Sequence, residues 1–236
     1  MDNLNQLITY HYKFVFSNGS AKEFKIQLDN KTLNLIKTQD RPNPEWTKLN
    51  FCKCPNCLLD EESHIFCPIA INIVDIIDYF WNSISHEEVD VFIQTGTRSY
   101  TNHAPLQKGL SSLLGIHMVT SGCPVMEKLK PMVRYHLPFA TAEETMYRAI
   151  STYLLGQFFL HKRGIKPDLE LVNLVKIYEN VRLVNESFCN RLSNIHMEDA
   201  SINALVRLDC FADIVSFSIN ENLLNEIELV FSPYFQ

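Results

Sequence analysis

A cysteine-rich stretch, residues 51–68, constrains this chain more than any other feature of its sequence. Four of the seven cysteines lie within it. Cys54 and Cys57 flank Pro55 and Asn56, and this two-residue spacing lets two thiolates bind one metal ion from a tight turn. The stretch therefore predicts a metal-binding loop between two regions of regular structure.

Two other cysteines suit the same metal ion. Cys67 precedes Pro68 and an apolar helical pattern, so it is expected near a helix N-cap, where the helix dipole favours a thiolate. Cys123 likewise precedes a proline at the predicted start of a helix. Because a closed structural zinc site needs four ligands, we predict zinc bound by Cys54, Cys57, Cys67 and Cys123.

Two nearby residues are alternatives for the fourth ligand. His64 lies inside the cysteine-rich stretch and is the closer competitor. Cys52 is less suitable, because a one-residue gap to Cys54 strains chelation by both. The same cysteines are also compatible with redox-active thiols, or with free cysteines packed as small apolar residues.

Composition excludes several classes of protein. A hydrophobic fraction of 46% with 20% charged residues indicates an ordered globular chain. The formal charge of −6 and the pI near 5.7 argue against a nucleic-acid-binding surface. No apolar run has the length of a membrane span, and the first residues lack the pattern of a secretory signal. The missing signal pattern and the odd number of cysteines argue against a disulfide framework, and they favour a soluble protein of the cytoplasm.

The periodicity of the chain predicts an α+β fold. Alternating apolar residues indicate strands at 7–16, 24–28 and 89–95, the first two joined by an Asn18-Gly19 hairpin turn. The N-terminal part is thus a small antiparallel sheet, a hairpin plus a later strand, carrying the cysteine-rich loop. The other predicted elements are helices near 68–83, 106–119, 124–130, 141–161, 168–192, 197–216 and 221–231. A boundary near Lys166 would separate an α+β domain, 1–166, from a helical subdomain, 167–236, although one single domain also fits.

Three other groups of residues are candidates for catalysis, for binding a divalent metal ion or for polar pairing. His136 and Glu143 suit general acid–base work or a divalent metal ion, although Thr141 and Glu144 also read as a capping box. Cys123 at a helix N-terminus could serve as a nucleophile. Further along, Asp199 and Asn203 share a helix face and are expected to pair with polar groups of a neighbouring helix.

Several short motifs resemble those of an uncharacterised bacterial family of unknown function, with the likeness covering nearly the whole chain. The motifs are Cys54-Pro55-Asn56-Cys57, Cys67-Pro68, Ser121-Gly122-Cys123-Pro124, His136-Leu137-Pro138-Phe139 and Glu143-Glu144-Thr145. The resemblance implies one conserved bacterial protein and supplies no activity.

The function expected from these observations is non-catalytic. Zinc would hold the cysteine loop, and the protein would offer a surface to a protein partner or serve a regulatory role, with no nucleic acid and no membrane involved. One alternative is a thiol- or metal-dependent enzyme that uses Cys123 or the His136 and Glu143 region. Another is a sensor of oxidation or metal loss. The sequence specifies no oligomeric state.

Overall fold

The computed structural model describes residues 7–36, 42–220 and 224–235, and the N-terminal part forms one antiparallel sheet. Its strands are β1 (Ile8–Phe16), β2 (Ala21–Leu28), β3 (Glu88–Thr95) and β4 (Arg98–Pro105). The strand order is β2-β1-β3-β4, so the first hairpin and the second lie side by side through the pairing of β1 with β3. The predicted antiparallel sheet is confirmed.

Alternation along the strands decides which face of the sheet is buried. Tyr10, Tyr12, Phe14 and Phe16 of β1 point to the core, as their period of two predicts. The residues between them carry polar groups to the other face, where Lys13 pairs with Glu23 of β2 at 3.0 Å. One side of the sheet therefore packs on helices, and the other carries partly exposed polar groups.

The rest of the chain is mainly helical, which confirms the α+β class. The helices in the described residues are α1 (Pro68–Tyr79), α2 (Leu106–Val119), α3 (Lys130–Arg134), α4 (Ala142–Lys162), α5 (Val172–Ser193), α6 (Ala200–Asn220) and α7 (Asn225–Val230). Short 3₁₀ helices lie at Glu45–Thr47, Met126–Leu129 and Ser232–Phe235. Helix α2 packs on the sheet, α6 packs on α2, and α5 packs on α6. None of the described helices combines the length and the hydropathy needed to cross a membrane.

The close packing of α2 on the sheet depends on one glycine. A Cβ atom on Gly109 would lie 2.8 Å from Cε1 of Phe14 and 2.8 Å from Cγ2 of Val91. Both neighbours are fully buried strand residues. Because real Cβ contacts are not that short, a larger side chain at this position would push α2 away from the sheet.

Several element boundaries differ from the sequence prediction. Residues 98–105 form a fourth strand of their own rather than an extension of the third. The helix expected directly after Pro124 is instead a 3₁₀ helix at Met126–Leu129 followed by α3, because Pro131 removes a backbone donor there. The last helix begins at Asn225, and residues 221–223, where it was expected to start, lie outside the described part of the chain.

Local capping signals fix the start of two long helices. Thr141 accepts a hydrogen bond from the Glu144 amide at 3.1 Å, and the Glu144 carboxylate accepts one from the Thr141 amide at 2.8 Å. This capping box confirms the start of α4 at Ala142. Near the start of α5, the Asp168 carboxylate accepts from the amides of Val172 and Asn173. Buried side chains from both sides of Lys166 belong to one continuous core.

Candidate functional site

The segment from Cys54 to Cys57 forms a tight turn. The Cys57 amide donates to the Cys54 carbonyl at 3.0 Å, with Pro55 and Asn56 at the corner. The Asn56 side chain donates to the backbone and side-chain oxygens of Asn180 on α5, each at 2.9 Å. The turn is therefore attached to a helix that lies more than a hundred residues away in the sequence.

Backbone pairing closes the cysteine loop and positions Cys67. The Leu49 amide donates to the Ile65 carbonyl at 2.9 Å, and the Cys67 amide donates to the Thr47 carbonyl at 2.8 Å. Cys67 is the N-cap residue of α1, where the sequence predicted it. The loop thus leaves and rejoins the fold at one place, directly beside the first turn of α1.

The four cysteines predicted as zinc ligands line one small cavity. Its volume is about 20 Å³, close to the space needed for one water molecule or one ion. Its walls include Cys54 and Cys57 from the loop, Cys67 from the start of α1, and Cys123 from the segment before the 3₁₀ helix at Met126–Leu129. We call this space the thiol cavity.

The two alternative fourth ligands lie elsewhere. His64 is exposed, and its Nδ1 shares a hydrogen bond with the Ser63 hydroxyl at 2.9 Å. Cys52 does not line the thiol cavity, and its Sγ accepts a hydrogen bond from the Asn194 side chain at 3.3 Å. Of the candidates for a fourth ligand, Cys123 alone lines the cavity in the described part of the chain.

Burial controls the ionisation of the thiols. It raises the pKa of Cys54 to about 11 and raises the pKa values of Cys67 and Cys123 above the ordinary thiol value. Backbone amides near Cys67 and Cys123 lower each pKa, but by less than burial raises it. The expectation that a helix dipole alone would favour a thiolate is therefore wrong for both residues, because removal from water outweighs the dipole.

A buried arginine forms one wall of the thiol cavity. Arg191 on α5 is 1% exposed, and its guanidinium donates to the carbonyls of Trp46, Lys48 and Cys52 at 2.5, 2.9 and 3.2 Å. Its Nε has no hydrogen-bond partner among the described residues, and no ion pair with a carboxylate is present there. Burial lowers the pKa of Arg191, and nearby thiols, which include Cys67 and Cys54, raise it by less.

The sulfur atoms do not form a closed ligand set. Within residues 7–36, 42–220 and 224–235, no group of three or more histidine, cysteine or acidic side chains has an arrangement that could hold a metal ion. The four thiols share a cavity wall without converging on one point. Metal binding there would require the thiols to lose their protons and turn towards each other.

The second region predicted to carry chemistry surrounds a larger cavity between helices. This central cavity has a volume of about 180 Å³. It is a cleft partly open to solvent, and it is lined by residues of α2, α4, α5 and α6 and of the segment 126–140. Its walls include Ile116, Met126, Met132, His136, Phe139, Arg148, Tyr178, Asn185, Arg207 and Phe211.

His136 lies in the wall of the central cavity inside a hydrogen-bond cluster. Its Nε2 is 2.8 Å from the Tyr12 hydroxyl and 3.0 Å from the Ser112 hydroxyl. Burial, with a smaller effect from Arg148, lowers the pKa of His136 to about 3. His136 is therefore neutral at physiological pH and a weak proton acceptor, which is poorly suited to general base catalysis.

The other residues proposed for catalysis are not brought together. Glu143 is exposed in the first turn of α4 and does not line the central cavity. A cysteine nucleophile needs a nearby base, but neither His117 nor His136 lines the thiol cavity beside Cys123. Arg148 was expected to pair with Glu144, but its Nη2 donates to the Met132 and Tyr135 carbonyls, because Glu144 is used in the capping box.

Asp199 has a structural role. Its carboxylate accepts hydrogen bonds from the Ser85 amide at 2.7 Å, the Ser85 hydroxyl at 2.8 Å and the Asn203 side chain at 2.8 Å. The expected partner on a neighbouring helix is thus a loop residue, since Ser85 lies between α1 and β3. These contacts attach the start of α6 to the edge of the sheet.

Two partly buried histidines, His117 and His136, predict acid sensitivity. Burial lowers the pKa of His117 to about 4 and that of His136 to about 3, from an ordinary value of 6.5. The unfolded chain then binds more protons than the folded one below pH 6.5, so stability is complete above that value and is lost as pH falls through it. At pH 5 we expect a loss of about 1–2 kcal/mol for each histidine.

Urea unfolding of the wild type at pH 7 and pH 5 measures this loss. In His117→Gln and His136→Gln, the unfolding free energy should differ less between pH 7 and pH 5 than it does in the wild type. The reason is that each variant removes one group that takes up a proton on unfolding. Equal unfolding free energies for the wild type at both pH values would contradict the prediction.

Sequence reasoning missed three residues that now stand out. Arg191, Asn185 and Arg207 line the two cavities, and each has a buried polar atom without a described partner. The one available signal was the placement of Arg191 among apolar residues, between Phe188 and Leu192 at helical spacing. Nothing local indicated which distant carbonyls it would meet.

Comparison with protein families gives a match over most of the chain. The model described as "Domain of unknown function (DUF6901)" matches residues 8–232, which includes both cavities. No curated protein and no solved structure matches this sequence significantly. The family description states no activity.

Proposed function

The chain belongs to the DUF6901 family, and we propose that this member is a non-catalytic cytoplasmic protein with a structural zinc site. Cys54, Cys57, Cys67 and Cys123 would be the ligands. The ion would hold the cysteine loop against the start of α1 and against α5. A partner protein would then meet a surface whose shape depends on the bound metal.

One observation supports the zinc proposal above the others. Four cysteines from three separate segments of the chain line a cavity of about 20 Å³. They are the four that the sequence favoured as ligands, two by their spacing and two by a following proline at a helix start. Zinc is the usual metal of four-cysteine structural sites. Chance packing of small apolar residues gives no reason for four cysteines to line one small space.

The surroundings of the thiols can balance the charge of a metal-thiolate site. Four thiolates and one Zn²⁺ carry a net charge of −2, which needs compensation when buried. Arg191 supplies a buried positive charge that has no carboxylate partner among the described residues. The amides near Cys67 and Cys123 supply further positive potential. Without a metal ion, burial keeps Cys54, Cys67 and Cys123 protonated.

The thiol chemistry favours a structural role over catalysis. A four-sulfur site leaves no open coordination position for a substrate or water. Burial raises the pKa of Cys123, which is the opposite of what activates a nucleophile. The raised pKa also argues against a fast redox response, because oxidants react with the thiolate.

An exposed apolar face on α4 supports the interaction role. Leu155, Phe158 and Phe159 are each about half exposed near the end of this helix. Large apolar side chains grouped on a surface are typical of protein–protein contact sites. We propose this part of α4 as the surface that meets a protein partner.

Metal content and thiol titration test the zinc site together. We expect elemental analysis of gently purified protein to give one zinc per chain. Four of the seven thiols should react slowly until a chelator is added. Absence of stoichiometric metal, with thiol reactivity that follows exposure alone, would refute the site. One fast-reacting thiol mapped to Cys123 would favour the enzyme, and reversible unfolding on mild oxidation would favour the sensor.

A further inference from the structure

The central cavity has the size of a small-molecule site and no part in the proposed zinc site. Its volume of about 180 Å³ slightly exceeds that of an engineered protein cavity, about 150 Å³, that binds benzene. Apolar side chains such as Ile116, Phe139 and Phe211 make up most of its wall. A single ring or a short branched chain therefore fits the space.

The charged groups around the cavity have one sign. Lys108, Arg148 and Arg207 line it, and no aspartate or glutamate does so among the described residues. The side chains of Lys108 and Arg207 form no hydrogen bond or ion pair with another group in that part of the chain. The Arg207 guanidinium lies over the Phe211 ring, 5.7 Å from its centroid. A mostly apolar space with uncompensated positive charge selects a ligand with an apolar body and one negative group.

Two residues that line this space each have a buried polar atom without a described hydrogen-bond partner. Asn185 is 1% exposed, and its Oδ1 has no described hydrogen-bond partner. The Nε of Arg207 is buried and equally unpartnered. Proteins rarely leave buried polar atoms unsatisfied. The Arg207 Nε–H is a donor that an anionic ligand can satisfy, whereas the Asn185 Oδ1 is an acceptor and gives no support to an anion.

The guanidinium of Arg148 is already oriented. Its Nη2 donates to the Met132 carbonyl at 2.9 Å and to the Tyr135 carbonyl at 3.1 Å, while its other nitrogens bond to no described protein atom. A donor held in place before binding loses little entropy when the ligand arrives. Arginine also has the planar geometry that matches a carboxylate.

We propose that the central cavity binds a compact monocarboxylic acid with a ring-sized apolar body. Arg207 and Arg148 pair with the carboxylate, and the apolar body lies against Ile116, Phe139 and Phe211. A carboxylate satisfies buried guanidinium donors through charge-assisted hydrogen bonds. The body replaces water at the apolar wall and contributes affinity through burial. This binding is separate from the zinc site and from the protein-interaction surface.

Calorimetric titration of the full chain with phenylacetate tests the proposal. At neutral pH and low salt we expect a Kd of roughly 10 μM to 1 mM, with a negative heat-capacity change. Phenylacetamide keeps the ring and removes the charge, while acetate keeps the charge and removes the ring. Both compounds should bind at least about ten-fold more weakly than phenylacetate, because each lacks either the negative charge or the apolar ring.

Variants of Arg207 locate the site. Arg207→Met removes the charge at similar length, and we expect phenylacetate affinity to fall about 10- to 100-fold. Arg207→Lys keeps the positive charge but lacks the planar guanidinium group, so it should lose less affinity for phenylacetate than Arg207→Met. Arg98→Met removes an exposed arginine on β4, outside the cavity, and should leave the Kd unchanged.

The thermal stability of the variants without ligand shows whether Arg207 contributes to ligand binding or to folding. Since Arg207→Met removes a buried donor without a partner, its thermal midpoint without ligand should equal or exceed that of the wild type. A lower affinity together with an unchanged midpoint supports the proposal. No binding of phenylacetate up to about 10 mM, equal binding of phenylacetamide, or an unchanged Kd in Arg207→Met would overturn it.

Discussion

Replacing Cys57 with serine is expected to lower the free energy of unfolding by about 3 kcal/mol or more and to abolish stoichiometric zinc binding. The reason is that binding of a structural metal contributes directly to folding, by about 10–16 kcal/mol in small zinc domains, so losing one of four ligands removes a large share. Cys57 is partly exposed, and serine has nearly its size. Packing alone would therefore cost less than about 1 kcal/mol.

Chemical unfolding and elemental analysis of the same samples measure both effects of Cys57→Ser. A chelator should destabilise the wild type and leave the variant unchanged, because the variant has no ion to lose. Cys210→Ser is the matched control, since Cys210 is exposed on α6 and lies outside the thiol cavity. If Cys57→Ser and Cys210→Ser unfold alike, and the chelator has no effect on the wild type, the zinc proposal fails.

Arg191→Met should cost about 3–5 kcal/mol of stability. The substitution keeps an unbranched side chain in the core but removes the donors that satisfy the Trp46, Lys48 and Cys52 carbonyls. The Lys48 carbonyl would keep the Phe51 amide as a donor, but the Trp46 and Cys52 carbonyls would lose the arginine. Each buried carbonyl without a donor lowers the free energy of unfolding by about 1–3 kcal/mol. The cysteine loop would lose the contacts that hold it to α5, so its protease sensitivity should rise together with the loss of stability.

Urea unfolding, with Arg182→Met as the control, checks this prediction. Arg182 lies on the same helix but is 36% exposed, and it pairs with carboxylates that include Asp213 at 2.6 Å. Exposed ion pairs contribute about 1 kcal/mol or less. Zinc affinity, measured by competition with a chelator, should also fall in Arg191→Met because a compensating charge is lost. Similar unfolding free energies for the two variants would show that the buried guanidinium does not hold the loop.

Local patterns predicted much of the fold. Alternation in β1 identified its buried face, and the Asn18-Gly19 pair identified the hairpin, where Gly19 has a φ of 80°. Thr141 and Glu144 fixed the start of α4. These signals succeed because strand period, turn conformation and helix capping depend on residues a few positions apart. The pairing of β1 with β3 was not predictable in this way, since those strands lie far apart in the chain.

The candidate sites also contain features that local sequence predicts and features that depend on contacts between distant parts of the chain. By itself, the sequence determined the Cys54–Cys57 turn and the N-cap position of Cys67, because spacing and proline act locally. It only favoured Cys123 over His64 as a fourth ligand. The tertiary structure alone decided that Arg191 would meet the Trp46 carbonyl from 145 positions away. It alone placed Arg207 and Asn185 around a cavity with no acidic side chain among its described residues. Burial depends on every segment that packs nearby, so the electrostatics of a buried group become defined only when the chain has folded.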